Sequence, residues 1–262
     1  YNEDGTLKSL MAVNSVIGHA LINKVPTVIY GDDFTIRGGA GDAAIYEKMI
    51  TAERFANEYR MPLIRLIEGT GGGGSVKSIE ADGYTYVPAN PGWDWVVSNM
   101  ATIPVVSLGL GPVAGLGAAR LVSSHYSVIV KKMSQVFVAG PPVVNRLGET
   151  VTKESLGGSE IHGKNGVIDE VADSEADALA KARKFLSYLP SSTYEIPKRI
   201  KNNDPIDRKD NWLISAIPKN RRHSYEIRPI IESVTDKNSF FEIGKNWGTS
   251  SVSGFARLDG WP

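Results

Sequence analysis

The 262-residue chain contains no cysteine. That excludes a disulfide framework, a thiolate nucleophile and thiolate metal sites. Histidine is scarce: His19, His125, His162 and His223 are the full set, and no two stand at the spacing of a zinc-binding pair, so no metal site is expected. Neither a GxSxG nucleophile elbow nor a GxxxxGKS/T phosphate loop is present. The longest apolar stretch, residues 10–22, is interrupted by Asn14, Ser15 and His19 and falls short of the ~18 residues of a membrane span. Excess charge is also missing: 29 Lys plus Arg balance 29 Asp plus Glu. A general nucleic-acid binder would need a basic surplus, although a local basic patch for one phosphorylated ligand remains open. The chain opens at Tyr1 without methionine or a signal-like segment, so the expectation is a processed or truncated piece whose targeting information is missing.

Glycine is the residue in surplus. There are 27 among 262 residues, more than the usual ~7%. They cluster where apolar runs end, at 38–39, 71–74, 109–117 and 157–158, as expected of turns with positive φ or of backbone lying close to a ligand. Residues 25–30, 62–67, 103–110, 126–130 and 135–139 read as strands. Residues 43–59, 93–100, 115–122 and 174–189 read as helices, the last capped by Ser174 with Asp177 three residues on. Strands alternating with helices predict βαβ units, a largely parallel sheet and an α/β fold. The expected organisation is a domain over residues 1–190, a charged linker with one or two short elements over 191–239, and strands over 240–262 that open a second domain. A strand pair at that position has little to pack on.

Side-chain chemistry is thin. Asp32 and Asp33 are adjacent at a strand end and point opposite ways, which argues against a shared-proton pair. His162 lies in a glycine-bearing loop, where a structural role is the commoner one; His125 sits beside an apolar strand. What remains is backbone. Gly69 to Gly74 follows one strand, and residues 111–118 follow another and open a helix. Free N–H groups there can hold negative charge developing on an oxygen, as in an enolate formed from a thioester. A lone glycine cluster more often makes tight turns or binds a nucleotide phosphate, and the glycines alone do not separate the readings.

Asp33-Phe34-Thr35-Ile36-Arg37-Gly38-Gly39 resembles the DFT-x-x-GG segment of the carboxyltransferase (beta) subunits of biotin-dependent acyl-CoA carboxylases. Gly111-Pro112-Val113-Ala114-Gly115 is similar to their GPCAGG loop, Gly140-Pro141-Pro142-Val143-Val144 to GP-x-V-I/V, and Leu156-Gly157-Gly158 with His162 and Gly166-Val167 to LGG…H…SGV. Ser187-Tyr188-Leu189-Pro190 matches SYLP, and Phe240-Phe241-Glu242-Ile243 and residues 254–260 match the opening of the family's C-terminal half. The order holds from about residue 26 to 260. The sequence departs from the family at Glu68 to Gly74, where DSGGAR is usual, and at Leu116, Ala119, Arg120 and Leu121, and so resembles a divergent member.

The resemblance implies a crotonase (ClpP-like) fold, a β-β-α superhelix, here its N-terminal carboxyltransferase domain. It implies transfer of CO2 from carboxybiotin, held on a separate carrier protein, to the alpha or vinylogous carbon of an acyl-CoA, with a biotin-dependent decarboxylase or transcarboxylase, or a non-catalytic scaffold, as alternatives. The implied oxyanion donors are Gly115 and Leu116, with Gly117 next and Gly71 and Gly72 across from them. Arg37, Gly38, Gly39, Lys77 and Ala114 are the implied CoA contacts, with Lys48 and Arg54 as further cations. The implied partners are the acyl-CoA, a biotin carboxylase or biotin carrier subunit, and further copies of the chain, as dimers assembled into a hexamer. The implied home is the mitochondrial matrix in a eukaryote or the cytoplasm in a bacterium.

Overall fold

The computed structural model describes residues 2–8, 13–41, 46–69, 71–72, 80, 83 and 92–262. β1 (Ser15–Ile22) and β2 (Val25–Asp32) form an antiparallel hairpin. Its two turn residues, Asn23 and Lys24, have φ of 51° and 66°, the pair of left-handed positions of a type I′ turn. A 3-10 turn (Arg37–Gly39), β3 (Ala40–Gly41), α1 (Tyr46–Glu58), β4 (Leu63–Gly69), β5 (Gly71–Gly72), α2 (Trp93–Thr102) and β6 (Val105–Ala114) follow. Then come α3 (Leu116–Val122), β7 (Tyr126–Val130), β8 (Gln135–Phe137), α4 (Pro141–Val144), α5 (Lys153–Gly157), α6 (Ser159–His162), β9 (Glu170–Ala172) and α7 (Glu175–Leu186). α8 (Leu213–Ala216), α9 (Ile227–Val234), β10 (Phe241–Ile243) and β11 (Ser253–Phe255) complete the order.

Among the described residues the main sheet runs β1-β2-β4-β6-β7-β9, with β8 joining β6. Every pair after the first hairpin is parallel. Both faces are covered, which is why β7 is buried at all five positions instead of alternating. Alternation still sorts neighbours between layers: Leu63 packs with Met49, Ala52 and Ala56 of α1, whereas Ile64 packs with Ala178, Ala182 and Phe185 of α7. α7 begins as its sequence predicts, with the Ser174 hydroxyl accepting the Asp177 N–H at 3.2 Å. Ser174→Ala is expected to cost about 1 kcal/mol. A thermal melt should read that as a fall of roughly 2–4 °C.

β6 extends further than residues 103–110 suggest, because it changes partners midway. Residues 106–109 pair with β7, and residues 112–114 pair with β8. The pairing with β4 also jumps here, from Ile67–Gly109 to Gly69–Val113. Pro112 has no N–H to give to a ladder and stands where the chain swings from one partner to the other. The last hairpin corrects one expectation. β10 and β11 do find something to pack on: Phe241 meets Tyr126 at 5.5 Å between ring centres, and Phe255 meets Phe185 at 5.6 Å.

Candidate functional site

The glycine turns converge where β4 and β6 end. Gly39 has φ of +63°, and a Cβ there would stand 2.6 Å from the Glu68 carbonyl oxygen. A Cβ on Gly69 would stand 2.5 Å from the Gly39 oxygen, so these two segments touch backbone to backbone. Gly71 lies against Ala114 in the same way, at 3.1 Å from its oxygen. Gly71 and Gly72 pair with Ala40 and Gly41 as a short parallel ladder, which takes part of their hydrogen-bonding capacity. Gly38, Gly39, Gly71 and Ala114 are therefore brought together. The side chain of Arg37, and all of Lys77, Gly73 and Gly74, lie outside the described residues. Lys48 is committed elsewhere: its Nζ donates to the Ser15 carbonyl at 2.9 Å. Arg54 lies 4.0 Å from Glu58 on an exposed helix face.

α3 starts directly after β6. Gly115 caps it with φ of 59° and ψ of −123°, a conformation open to glycine and strained for other residues. Its N–H donates to the Phe137 carbonyl at 3.1 Å, and its carbonyl accepts from Ala119 at 3.2 Å. The expectation that Gly115 supplies a donor is corrected on this point: its amide is spent on holding β8. The amides of Leu116 and Gly117 come next, in the first helical turn, where no carbonyl of the same helix can reach them. They sit at the positive end of the helix.

His162 braces the same strand from behind. Its Nε2 lies 2.7 Å from the Val136 carbonyl oxygen, so that nitrogen carries the proton, and Nδ1 faces Asn165 Nδ2 at 3.3 Å. The imidazole thus holds β8 one residue from Phe137. His125 is structural as well. Nδ1 accepts the Val105 N–H at 3.1 Å and Nε2 donates to the Met100 carbonyl at 3.0 Å, and burial pushes its pKa down. It stays neutral.

The adjacent aspartates do separate. Asp33 Oδ1 takes the Thr35 N–H and hydroxyl at 3.0 and 2.6 Å. Asp32 turns inward, where Oδ1 accepts the Tyr30 hydroxyl at 2.5 Å and Oδ2 accepts the Glu68 N–H at 3.1 Å. Glu68 lies against Gly111, where a Cβ would collide with its Oε1. Burial, then Glu175, Asp32 and Asp33, push the Glu68 carboxyl above its ordinary range.

Beneath α3 is a cluster that sequence reasoning missed. Glu53 of α1 receives Arg65 Nε and Nη2 at 2.8 and 2.9 Å, Arg120 Nη2 at 3.1 Å and Asn99 Nδ2 at 2.9 Å. Glu53, Arg65 and Arg120 are all buried. The signals were present: Arg65 interrupts the apolar run 63–67, and Glu53 shares a helix face with Met49 and Ala56. Burial pushes the Glu53 carboxyl up, but Arg65 and Arg120 outweigh it, and the pKa lies below its ordinary value. A depressed carboxyl adds stability that is complete above its unfolded pKa and disappears as the pH falls through the folded one. Urea unfolding across the acid range should therefore show a slope that Glu53→Gln flattens.

Residues 4–262 match the family described as the carboxyl transferase domain. The chain is 32% identical over 248 residues to the mitochondrial propionyl-CoA carboxylase beta chain of Sus scrofa, across 94% of this chain and 45% of that protein. To methylmalonyl-CoA decarboxylase subunit alpha of Veillonella parvula it is 28% identical over 256 residues, across 97% and 49%. To the mitochondrial methylcrotonoyl-CoA carboxylase beta chain of Dictyostelium discoideum it is 30% identical over 263 residues, across 97% and 44%. The chain thus spans about half the length of the curated relatives it matches. Among solved structures, transcarboxylase 12S, a hexamer assembly with hydrolysed methylmalonyl-CoA bound, aligns with a TM-score of 0.82 at 24% identity, over 95% of this chain and 47% of that one. A single-chain, multi-domain long-chain acyl-CoA carboxylase aligns with a TM-score of 0.77 at 22% identity, over 95% and 24%. These two show the fold, the crotonase-like superhelix that the motifs imply. No described helix is long and apolar enough to cross a membrane. With the match running from residue 4 to the last residue, and with the glycine turns meeting where β4 and β6 end, the chain belongs to the carboxyl transferase domain family.

Proposed function

We propose that this chain holds the acyl-CoA in a carboxyltransferase that moves CO2 between carboxybiotin and the alpha or vinylogous carbon of the thioester. The observation that carries the reading is the first turn of α3. Its Leu116 and Gly117 amides are uncommitted within the helix, and they stand beside the Gly71–Ala114 contact, where the backbone carries almost no side-chain bulk. Neutral amides suit a flat neutral group that becomes anionic at one oxygen. A thioester and a ureido ring both have this character, so the donor set fits the implied biotin chemistry. Carboxybiotin, on a separate carrier, supplies the CO2 and a basic ureido nitrogen.

The chain's own residues orient and stabilise. The thioester oxygen sits on the Leu116 and Gly117 amides, which strengthen their hold as the alpha proton leaves and charge collects on that oxygen. Gly38, Gly39, Gly71, Gly72 and Ala114 form the floor on which the pantetheine end lies, and Arg37 and Lys77 meet the phosphates of CoA. A biotin carboxylase or carrier subunit and further copies of the chain, as dimers built into a hexamer, complete the enzyme. Its compartment is the mitochondrial matrix in a eukaryote or the cytoplasm in a bacterium.

The similarity to a methylmalonyl-CoA decarboxylase subunit favours a second reading, in which the same site runs the transfer out of the acyl-CoA. Calorimetric titration of the intact protein with free CoA and with acetyl-, propionyl-, methylcrotonyl- and long-chain acyl-CoA tests the site. One ester should bind more tightly than free CoA, and label should pass between it and a biotinylated carrier. The direction of label transfer separates carboxylase from decarboxylase. Binding by no ester overturns both in favour of a scaffold.

A further inference from the structure

Two guanidiniums and a carboxylate are buried together beneath α3, and stability does not explain them. Apolar residues of similar volume are usually as stable as a buried ion cluster, or more so. Arg120 Nε, moreover, is buried with no hydrogen-bond partner among the described residues. What the cluster does achieve is connection. Arg65 Nη1 donates to the Arg120 and Ser123 carbonyls at 3.0 and 2.7 Å, which grips the C-terminal end of α3. The Arg120 guanidinium lies 4.5 Å above the centre of the Tyr30 ring. The Tyr30 hydroxyl goes to Asp32, and the other oxygen of Asp32 takes the Glu68 N–H, the residue that leads into the glycine turn.

One unbroken set of contacts therefore runs from α1 through β4 and the far end of α3 to β2 and the start of the glycine turn. We infer that Glu53, Arg65, Arg120, Tyr30 and Asp32 are positioning residues that set the distance between the first turn of α3 and the Glu68–Gly69 backbone. None of them reaches the reacting atoms. They act by keeping two pieces of backbone in register, so that both fit the enolate better than the thioester. This rests on the oxyanion reading of the site given above.

The test compares two ligands in the intact protein. One is free CoA, which reports general binding. The other is a CoA thioether ending in a nitronate, which carries two anionic oxygens in the plane of the enolate. Wild type should bind the nitronate far more tightly than CoA. Tyr30→Phe keeps the ring beneath Arg120 and cuts only the link to Asp32. Arg65→Lys keeps the charge and loses the fork. Each should weaken nitronate binding about tenfold and change CoA binding less than twofold. A wild type with no preference for the nitronate would overturn the oxyanion reading itself. A wild type with the preference, and variants that keep it or that lose both ligands equally, would overturn the positioning role. If Arg65→Lys does not fold, Tyr30→Phe decides the matter.

Discussion

Glu53→Leu is expected to cost about 3–5 kcal/mol, because it leaves a buried charge without its partner. Here it strands two guanidiniums, Arg65 and Arg120, which otherwise share the same Oε1 at 2.8 and 3.1 Å. Water cannot compensate either of them, since both are almost fully enclosed. The loss is a large part of the roughly 5–15 kcal/mol that holds a typical domain folded. Chemical denaturation of the purified variant, or its disappearance from the soluble fraction, reads it directly. The informative companion is the triple change Glu53→Leu, Arg65→Met, Arg120→Met. With neither guanidinium left to strand, it should recover most of the lost stability. If the triple variant were as unstable as the single one, the deficit would come from packing and not from unpaired charge.

Leu116→Pro is expected to lower the rate of carboxyl transfer by about 10²–10³, the usual effect of deleting one oxyanion donor. Position 116 is the first of the helix, the one place in a helix where proline is accommodated. The variant should therefore remove an N–H and keep α3. Gly115→Pro is a poorer probe: φ of 59° is out of proline's reach, and its N–H holds Phe137. Because the Leu116 side chain also packs against the cluster around Val28 and Met49, Leu116→Ala is the control. It loses the packing and keeps the amide, so its stability should fall while turnover per folded molecule stays near wild type. Equal activity in the two variants would remove Leu116 from the site.

Most of the sheet was legible because its strands are apolar runs with glycine or proline after them, and residues 126–130 coincide with β7 from end to end. β1 was not legible. Its exposure pattern is mostly open to solvent, and its turn uses Asn-Lys where Asn-Gly is the recognisable pair. The partner change in β6 was hidden: residues 135–139 read as a strand and β8 lies there, but Gly111-Pro112 reads as an ending, and nothing local says that β6 runs on to pair with β8. The convergence of the glycine turns was legible as a place, from glycines after two strands, but the partner of each amide was not. Gly115 carries the motif, yet its amide points to Phe137, a contact between residues 22 positions apart that no local pattern encodes. The buried charges were missed because a charge within an apolar run looks like noise until its partners, on other elements, are seen.

The Gly115–Phe137 hydrogen bond joins the site to a strand that, among the described residues, pairs with only one neighbour over three positions. β8 contributes three residues to the ladder, held at its back by His162. Amide exchange should separate the neighbouring positions by time scale. Gly115 should exchange only when β8 lifts away, whereas Leu116 and Gly117 should exchange freely until an acyl-CoA covers them. The three consecutive amides then act as two clocks side by side, one reporting how often the strand opens and the other how often the site is filled.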